Sequence, residues 1–230
     1  MALALRLIAT ADESLLEITA LSLRVSGAAT LLATVLGVAL GAGLAVAGFV
    51  GKRAVVGLLN TLLALPPVVV GLSVYLLLSR SGPLGEWGLL FTPGAMVIAQ
   101  TVLVLPLVAA LTHQLVADAV RAHGEQLHAM GASAVQTLAL LLLHQRHALV
   151  IVLLSAFGRA ISEVGAVMIV GGNIDGVTRV MTTAIALETS KGDLPLALGM
   201  GVVLLLIVAM LNLGVALLRS AGTSNVAVRS

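Results

Sequence analysis

The residues best suited to chemistry in this chain are Arg159 and Glu163, with Ser162 beside them. All three lie in an apolar stretch, where an ionised side chain at bilayer depth costs roughly 2.5–3.5 kcal/mol on insertion scales. A spacing of four residues puts the guanidinium and the carboxylate on one helical face, so pairing offsets part of that cost. Two hypotheses stay open: a structural ion pair that fixes helix packing, or a charged lining of a translocation path. Catalysis is not predicted, because no nucleophile accompanies the pair.

A second polar set follows, in a loop predicted from Gly171 to Lys191. Glycines expose backbone N–H groups, hydroxyls donate hydrogen bonds and basic side chains supply positive potential, so the composition suits an oxyanion better than a metal cation. Acidic residues dilute that potential, and a solvated loop that docks a partner protein is the alternative. The set comprises Gly171, Gly172, Asn173, Arg179, Thr182, Thr183 and Lys191, diluted by Asp175, Glu188 and Asp193.

The most polar stretch of the chain runs from about residue 118 to 146. A bilayer holds such a cluster only outside the hydrocarbon or against water in a cavity. Apolar residues then recur every three or four positions, as one face of a helix does, and Gly131 interrupts that face where another backbone can approach closely. The pattern predicts a helix–turn–helix hairpin on one membrane surface, gripped by another protein; an ordinary solvated loop is the alternative. The recurring residues are Leu127, Met130, Ala134, Leu138 and Leu142.

The apolar segments contain one predicted break. Pro66 and Pro67 remove two successive backbone donors, which forces a kink or break. In a bilayer a break survives only when it is buried in protein or faces a water-filled cavity. The segment from Leu65 to Gly71 is therefore either a bend that lines a path or a plain structural kink. A separate stripe of small residues, suited to close helix packing, consists of Gly37, Gly41 and Gly43.

Composition places these features in a membrane. Hydrophobic residues make up 60% of the chain, mean hydropathy is +1.16 and only 10% of residues are charged, unlike the average soluble domain. The chain is therefore predicted to be an all-α polytopic membrane protein, a single transmembrane domain over residues 1–230 with no separate soluble domain. The five predicted spans are residues 18–46, 54–78, 94–115, 148–170 and 195–218.

Composition and motif searches also exclude classes of function. The absence of cysteine removes disulfides and thiolate metal sites. A net charge of +2, with no basic run interleaved with aromatics, argues against nucleic-acid binding. The sequence has no P-loop, no His-Glu-x-x-His motif and no Gly-x-Ser-x-Gly elbow. The chain is therefore predicted to be no enzyme and to carry no ATP, metal or cofactor site of its own.

Five spans put the two termini on opposite sides of the bilayer. Basic residues are slightly more numerous on the side that carries the hairpin, so the positive-inside rule places the hairpin and the C-terminus in the cytoplasm and the N-terminus outside. The hairpin side carries Lys52, Arg53, Arg121, Arg146, Arg219 and Arg229, and the other side Arg6, Arg80, Arg179 and Lys191.

The hairpin sequence from Glu125 to Gly131 resembles the coupling loop of ABC importer permeases, whose pattern is Glu-Ala-Ala, three residues and Gly. Gln126 and Leu127 replace the two alanines, and His144 stands where the pattern closes with proline. Further stretches resemble the tungstate-uptake permeases, relatives of the molybdate and sulfate permeases, and extend the resemblance over about residues 15–218. These stretches are Leu59–Gly71, Gly158–Ile174 and Thr178–Gly192.

The resemblance implies a homodimeric permease of the type I ABC importer kind in the inner membrane. Two cytoplasmic subunits would bind ATP and Mg²⁺, and an extracytoplasmic binding protein would capture the oxyanion, tungstate or alternatively molybdate or sulfate. The rivals are a stand-alone secondary anion carrier, which broken helices and a buried ion pair would also serve, and a non-transporting anchor. The resemblance assigns coupling to Glu125, Met130, Gly131 and Ala132, and the path or gate to Pro66, Pro67, Arg159, Ser162, Glu163, Asn173 and Thr183.

Overall fold

Nearly all of the described chain is α-helical. The computed structural model describes the backbone of residues 13–227 and the side chains of residues 14–210, 212–214, 216 and 217. This part of the chain forms nine α-helices, one 3-10 turn at Gly85–Trp87 and no strand, so the all-α prediction is confirmed. The helices are α1 (Glu13–Val46), α2 (Lys52–Leu62), α3 (Pro67–Leu78), α4 (Pro93–Ala129), α5 (Ala134–His144), α6 (Arg146–Ile161), α7 (Gly165–Gly171), α8 (Met181–Lys191) and α9 (Leu194–Ala227).

Three helices are long and apolar enough to cross a membrane by themselves. They are α1 from Ser14, α4, and α9 as far as Gly214. Two bent pairs, α2 with α3 and α5 with α6, bring the number of candidate crossings within the described residues to five if each pair counts as one. Arg6 and Arg229, which contribute to the predicted orientation, lie outside the described residues.

The helix boundaries depart from the predicted spans in the polar hairpin. Helix α4 contains 37 residues, so at 1.5 Å per residue it is about 55 Å long, well beyond a hydrocarbon core of about 30 Å. Its polar C-terminal third continues the helix without a break. The predicted boundary between a third span ending at residue 115 and a separate hairpin helix is therefore wrong. Helix α4 itself forms the first arm of the hairpin.

The predicted fourth span, residues 148–170, is also interrupted. Helix α6 ends at Ile161, and residues 162–164 separate it from the short helix α7. The loop predicted from Gly171 to Lys191 is wrong in its second half, which forms helix α8. The break predicted at Pro66 and Pro67 is present, because α2 ends at Leu62 and α3 begins at Pro67.

The described chain divides into two compact units. The first comprises residues 13–30, 66–103 and 157–211, and the second comprises residues 31–65, 104–156 and 212–227. Helices α1, α4, α6 and α9 contribute residues to both.

In the second unit, glycines on α1 allow α4 to pack closely. A Cβ added to Gly37 would lie 2.8 Å from the Cβ of Val108, and one added to Gly41 would overlap the carbonyl oxygen of Ala109. The predicted small-residue stripe is confirmed at these two positions. It is wrong at Gly43, where an added Cβ would meet nothing within 4 Å.

In the first unit, the two helices that follow breaks pack on each other. A Cβ added to Gly71 of α3 would lie 2.7 Å from the Cα of Ala166 in α7. A Cβ added to Gly165 would lie 3.1 Å from a methyl group of Val68. The N-terminal turn of α3 therefore lies against the N-terminal turn of α7, which positions the first candidate site.

Candidate functional site

The predicted ion pair forms at the break between α6 and α7. Nη1 of Arg159 lies 2.8 Å from Oε2 of Glu163, and the side chain of Glu163 is only 3% exposed whereas that of Arg159 is 42% exposed. The backbone N–H of Ala166 donates to the other carboxylate oxygen at 3.2 Å. Glu163 thus satisfies an N–H that the first turn of α7 leaves free, and it sits at the positive end of that helix.

Distant side chains donate to two carbonyl oxygens at the break. Nε2 of Gln100, on α4, donates to the carbonyl oxygen of Ala160 at 3.0 Å. The hydroxyl of Thr182, on α8, donates to the carbonyl oxygen of Glu163 at 2.7 Å. The carbonyl of Ala160 also accepts from the N–H of Glu163 at 3.1 Å. An unpaired backbone group in a bilayer costs several kcal/mol, so these bonds together let the broken helix persist there. Sequence reasoning missed both roles, although an amide within an apolar span was a usable signal.

Ser162 takes a different position from Glu163. It is exposed, and its hydroxyl donates to the carbonyl oxygens of Gly158 at 2.9 Å and Arg159 at 3.2 Å. The break therefore turns the carboxylate inward and leaves the guanidinium and this hydroxyl partly or wholly accessible.

The break at Pro66 and Pro67 lies close to the Arg159–Glu163 pair. Pro66 precedes α3 in an extended conformation and Pro67 is its first residue, where a missing N–H costs least. A Cβ added to Gly165 would lie 3.6 Å from the backbone nitrogen of Val68 and 3.6 Å from Oε1 of Glu163. The structure thus brings the start of α3 together with the Arg159–Glu163 pair.

Asn173 and Thr183 have local roles elsewhere in the unit. Asn173 has a positive φ of 51°, and its buried Oδ1 has no hydrogen-bond partner among the described residues. Thr183 is fully buried, and its hydroxyl accepts from the N–H of Val180 at 3.1 Å and donates to the carbonyl of Val180 at 3.0 Å. That hydroxyl closes the first turn of α8 and does not reach the ion pair.

The segment from Gly171 to Lys191 carries less free positive charge than its composition indicated. Arg179 pairs with Asp175 at 2.7 Å, and Lys191 pairs with Glu188 at 2.9 Å. Fully buried Thr178, which sequence reasoning passed over, accepts from the N–H of Ile174 at 2.9 Å and donates to the carbonyl of Gly171 at 2.6 Å, so it holds the loop closed.

The second candidate site is the turn between α4 and α5. The N–H of Gly131 donates to the carbonyl of His128 at 3.0 Å, and the N–H of Ala132 donates to that of Leu127 at 3.0 Å. This pair of bonds is a Schellman motif, whose left-handed residue is Gly131 with a φ of 79°. An added Cβ would meet nothing within 4 Å. Nothing in the described chain approaches this glycine closely, so its left-handed backbone conformation is the reason for glycine within the chain. Close approach by another protein stays a prediction.

A capping box completes the turn. The hydroxyl of Ser133 accepts from the N–H of Gln136 at 3.4 Å, and the Gln136 side chain accepts from the N–H of Ser133 at 2.9 Å. Both helix ends at the turn are thus closed by hydrogen bonds within a few residues.

The apolar residues of the hairpin face in two directions. Leu138 and Leu142 pack against a core of Ala42, Ala45 and Val116. Met130 at the tip is 76% exposed. The prediction that these residues share one continuous face is wrong, because the turn separates the tip from α5. The exposed residues assigned to coupling surround that tip: Glu125, Met130 and Gly131, with half-buried Ala132.

No protein-family model matches the chain. The tungstate uptake system permease protein TupB of Peptoclostridium acidaminophilum is 43% identical over 213 residues, 91% of this chain and 92% of the relative. A probable anion ABC transporter permease protein of Haloferax volcanii is 41% identical over 203 residues, 86% and 88% of the two chains. The TupB protein of Campylobacter jejuni is 42% identical over 161 residues, 70% and 67%.

Proposed function

The chain belongs to the family of anion and tungstate ABC transporter permease proteins, and we propose that it is the membrane subunit of an importer for a tetrahedral oxyanion, namely tungstate. Two copies would form the permease, two cytoplasmic subunits would bind and hydrolyse ATP with Mg²⁺, and an extracytoplasmic protein would deliver the anion. Two of the relatives are tungstate uptake system permeases, which supports tungstate as the substrate. Membership of an ABC family argues against a stand-alone carrier and a passive anchor.

The exposed hairpin tip is the observation that carries the coupling role. Met130 presents a large apolar side chain outside the predicted spans, on a turn whose main-chain bonds fix its shape. An exposed apolar group on a rigid support is suited to insertion into a groove of another protein. Because the turn ends α4 directly, force on the tip acts on a helix and not on a flexible loop. Glu125, Met130, Gly131 and Ala132 are therefore the proposed coupling residues.

The break beside α7 is the proposed gate. Arg159 and Ser162 would face the anion path, since their side chains are accessible, and buried Glu163 would hold the guanidinium in position. Pro66 and Pro67 would set the start of α3 beside them. Asn173 and Thr183 would support the neighbouring loop and helix. A guanidinium with one side held by a carboxylate keeps donors free for a passing oxyanion.

The proposed orientation places the hairpin and the C-terminus in the cytoplasm and the N-terminus outside, in the inner membrane. The basic residues at the start of α2 and in the hairpin support this orientation through the positive-inside rule.

Oxyanion-stimulated ATP hydrolysis in proteoliposomes tests the function. The permease would be reconstituted with its cognate ATPase and binding protein, and tungstate, molybdate and sulfate would be compared at limiting concentration. Tungstate should stimulate hydrolysis most. Stimulation by sulfate above tungstate would overturn the substrate, and the absence of both ATPase association and stimulation would overturn the importer assignment.

A further inference from the structure

A basic cavity lies where α1 turns into α2, in the second unit. Its volume is about 660 Å³, and its lining consists of Phe49, Gly51, Lys52, Arg53, Val56 and His113. Three of the six lining residues are basic and none is acidic. The proposed transport function uses none of them.

No acidic side chain of the described chain pairs with the two cations of this cavity, and its histidine has an unbonded ring nitrogen. Lys52 donates to the carbonyl oxygens of Ala45 at 2.7 Å and Ala47 at 3.0 Å, which closes the end of α1, but it forms no ion pair within the described chain. Arg53 is exposed and forms no ion pair there either. Nε2 of His113 is buried without a hydrogen-bond partner among the described residues.

The direction of helix α2 also favours a bound anion in this cavity. Lys52 and Arg53 are the first two residues of α2, whose N-cap, Gly51, offers no side chain and whose first turn has no acidic residue. Cations at the positive end of a helix are unfavourable. A bound anion would offset that penalty, because it would pair with the two cationic side chains at the positive end of the helix.

An apolar groove adjoins the basic cavity. Its volume is about 490 Å³, it shares Phe49 with the cavity, and its other walls include Leu40, Leu44, Val55, Leu59 and Pro106. Gly43 also lines this groove, and the space beside its Cα is empty to 4 Å. Helix α2 buries no residue within the described chain, and its apolar residues recur at positions 55, 58, 59 and 62. Such a basic amphipathic helix is typical of the membrane interface.

We propose that this elbow binds an anionic phospholipid, with the phosphate in the basic cavity and an acyl chain in the groove beside Gly43. A free oxyanion would occupy the cavity alone and would leave the groove unused. A zwitterionic lipid gains less, because its headgroup brings a cation toward two cationic side chains. Charge complementarity and the shared wall at Phe49 therefore select one occupant.

Lipid retention on the purified full-length permease tests this site. The protein in detergent would be titrated with phosphatidylglycerol or phosphatidylcholine, and separately with glycerol 3-phosphate or tungstate. Bound lipid would be counted by native mass spectrometry, with the thermal unfolding midpoint followed in parallel. Phosphatidylglycerol should bind and raise the midpoint, whereas the other three should not.

Three variants localise the effect. Arg53→Gln should weaken phosphatidylglycerol binding roughly fivefold, the share of one basic side chain near a membrane surface. Gly43→Leu should weaken it through the groove, and the empty space at this position lets the variant fold. Arg80→Gln removes an exposed arginine with no ion pair among the described residues and should leave binding unchanged.

Several results would overturn the proposal. Equal binding of the two phospholipids, or equal loss in Arg53→Gln and Arg80→Gln, would reduce the effect to non-specific attraction. If Gly43→Leu binds phosphatidylglycerol fully, and if the permease also binds tungstate or glycerol 3-phosphate in a way that Arg53→Gln abolishes, the cavity is a site for a free oxyanion. An unfolding midpoint that rises with protein concentration and not with lipid would assign the groove to a second copy of the chain.

Discussion

Substitution of Gly131 should uncouple the permease from its ATPase through the backbone and not through bulk. The residue has a φ of 79° in the Schellman turn that ends α4, and nothing lies within 4 Å of an added Cβ. A side chain at this position therefore has room within the chain. The only intrinsic penalty is the left-handed conformation.

That penalty can be estimated. An L-residue with a Cβ pays roughly 1–2 kcal/mol in the left-handed region, and asparagine pays less because it visits this region routinely. A cost of this size changes the ratio between the native turn and its alternatives by a factor of roughly 5–30. A β-branched residue is worse still, since a positive φ is a genuine outlier for it. The expected order of coupling is glycine, asparagine, alanine and valine.

The order is measured as tungstate-stimulated ATP hydrolysis in proteoliposomes that contain each permease variant with the cognate ATPase and binding protein. Gly131→Asn should retain most of the stimulation, Gly131→Ala should lose a large part and Gly131→Val nearly all of it. Membrane insertion of the permease alone serves as a control, and any fall in its thermal unfolding midpoint should reflect no more than the roughly 1–2 kcal/mol cost of the turn itself.

The opposite order would refute the backbone explanation. If Gly131→Asn uncouples as fully as Gly131→Val while Gly131→Ala remains coupled, side-chain size is decisive, and the glycine is needed for close approach by the partner subunit. Equal stimulation by all variants would refute the coupling assignment itself.

Other substitutions probe the packing and the break, each read as the thermal unfolding midpoint of the detergent-purified protein. Gly41→Ala forces a Cβ into the backbone of α4 and should cost roughly 1–3 kcal/mol, whereas Gly43→Ala, with open space, should cost almost nothing; equal effects would contradict the packing. Gln100→Leu removes one of the two donors to the carbonyl of Ala160, which keeps its bond from the N–H of Glu163, and should cost roughly 0.5–1.5 kcal/mol; an unchanged midpoint would mean that the Gln100 bond contributes nothing. Arg159→Gln leaves a buried carboxylate without its partner and should destabilise the protein more than Glu163→Gln, which leaves a half-exposed guanidinium that water can solvate. The reverse order would contradict the burial of the carboxylate and the exposure of the guanidinium.

Local signals in the sequence predicted the features whose causes are local. Consecutive prolines at positions 66 and 67 predicted a break because each removes a donor in place. The spacing of Arg159 and Glu163 predicted their contact because four residues make about one helical turn. Apolar composition predicted a membrane protein because each apolar segment carries that signal by itself, without a distant partner.

The features that the sequence did not predict depend on partners far along the chain. Two carbonyls at the break after α6 accept from distant side chains: Gln100 is 60 residues from the first of these carbonyls, and Thr182 is 19 residues from the second. Helix α8 begins where the N–H of Met181 meets the hydroxyl of Ser22, 159 residues away. No window of ordinary length contains both members of such a pair. Because the sequence is apolar both before and after the break at residues 162–164, its pattern predicts one uninterrupted span.

Gly131 shows why a motif and its physical cause must be separated. Its place in the hairpin motif was recognisable from its spacing to Glu125. Close approach and left-handed geometry both require glycine, so the sequence alone does not distinguish between these two causes. The two causes differ in what replaces it: close approach excludes asparagine before alanine, and left-handed geometry excludes alanine before asparagine. The hydrogen bonds from Gly131 to His128 and from Ala132 to Leu127 decide for geometry within the chain. What the partner subunit requires at the same residue is a separate demand, and the asparagine variant is the substitution on which the two demands give opposite results.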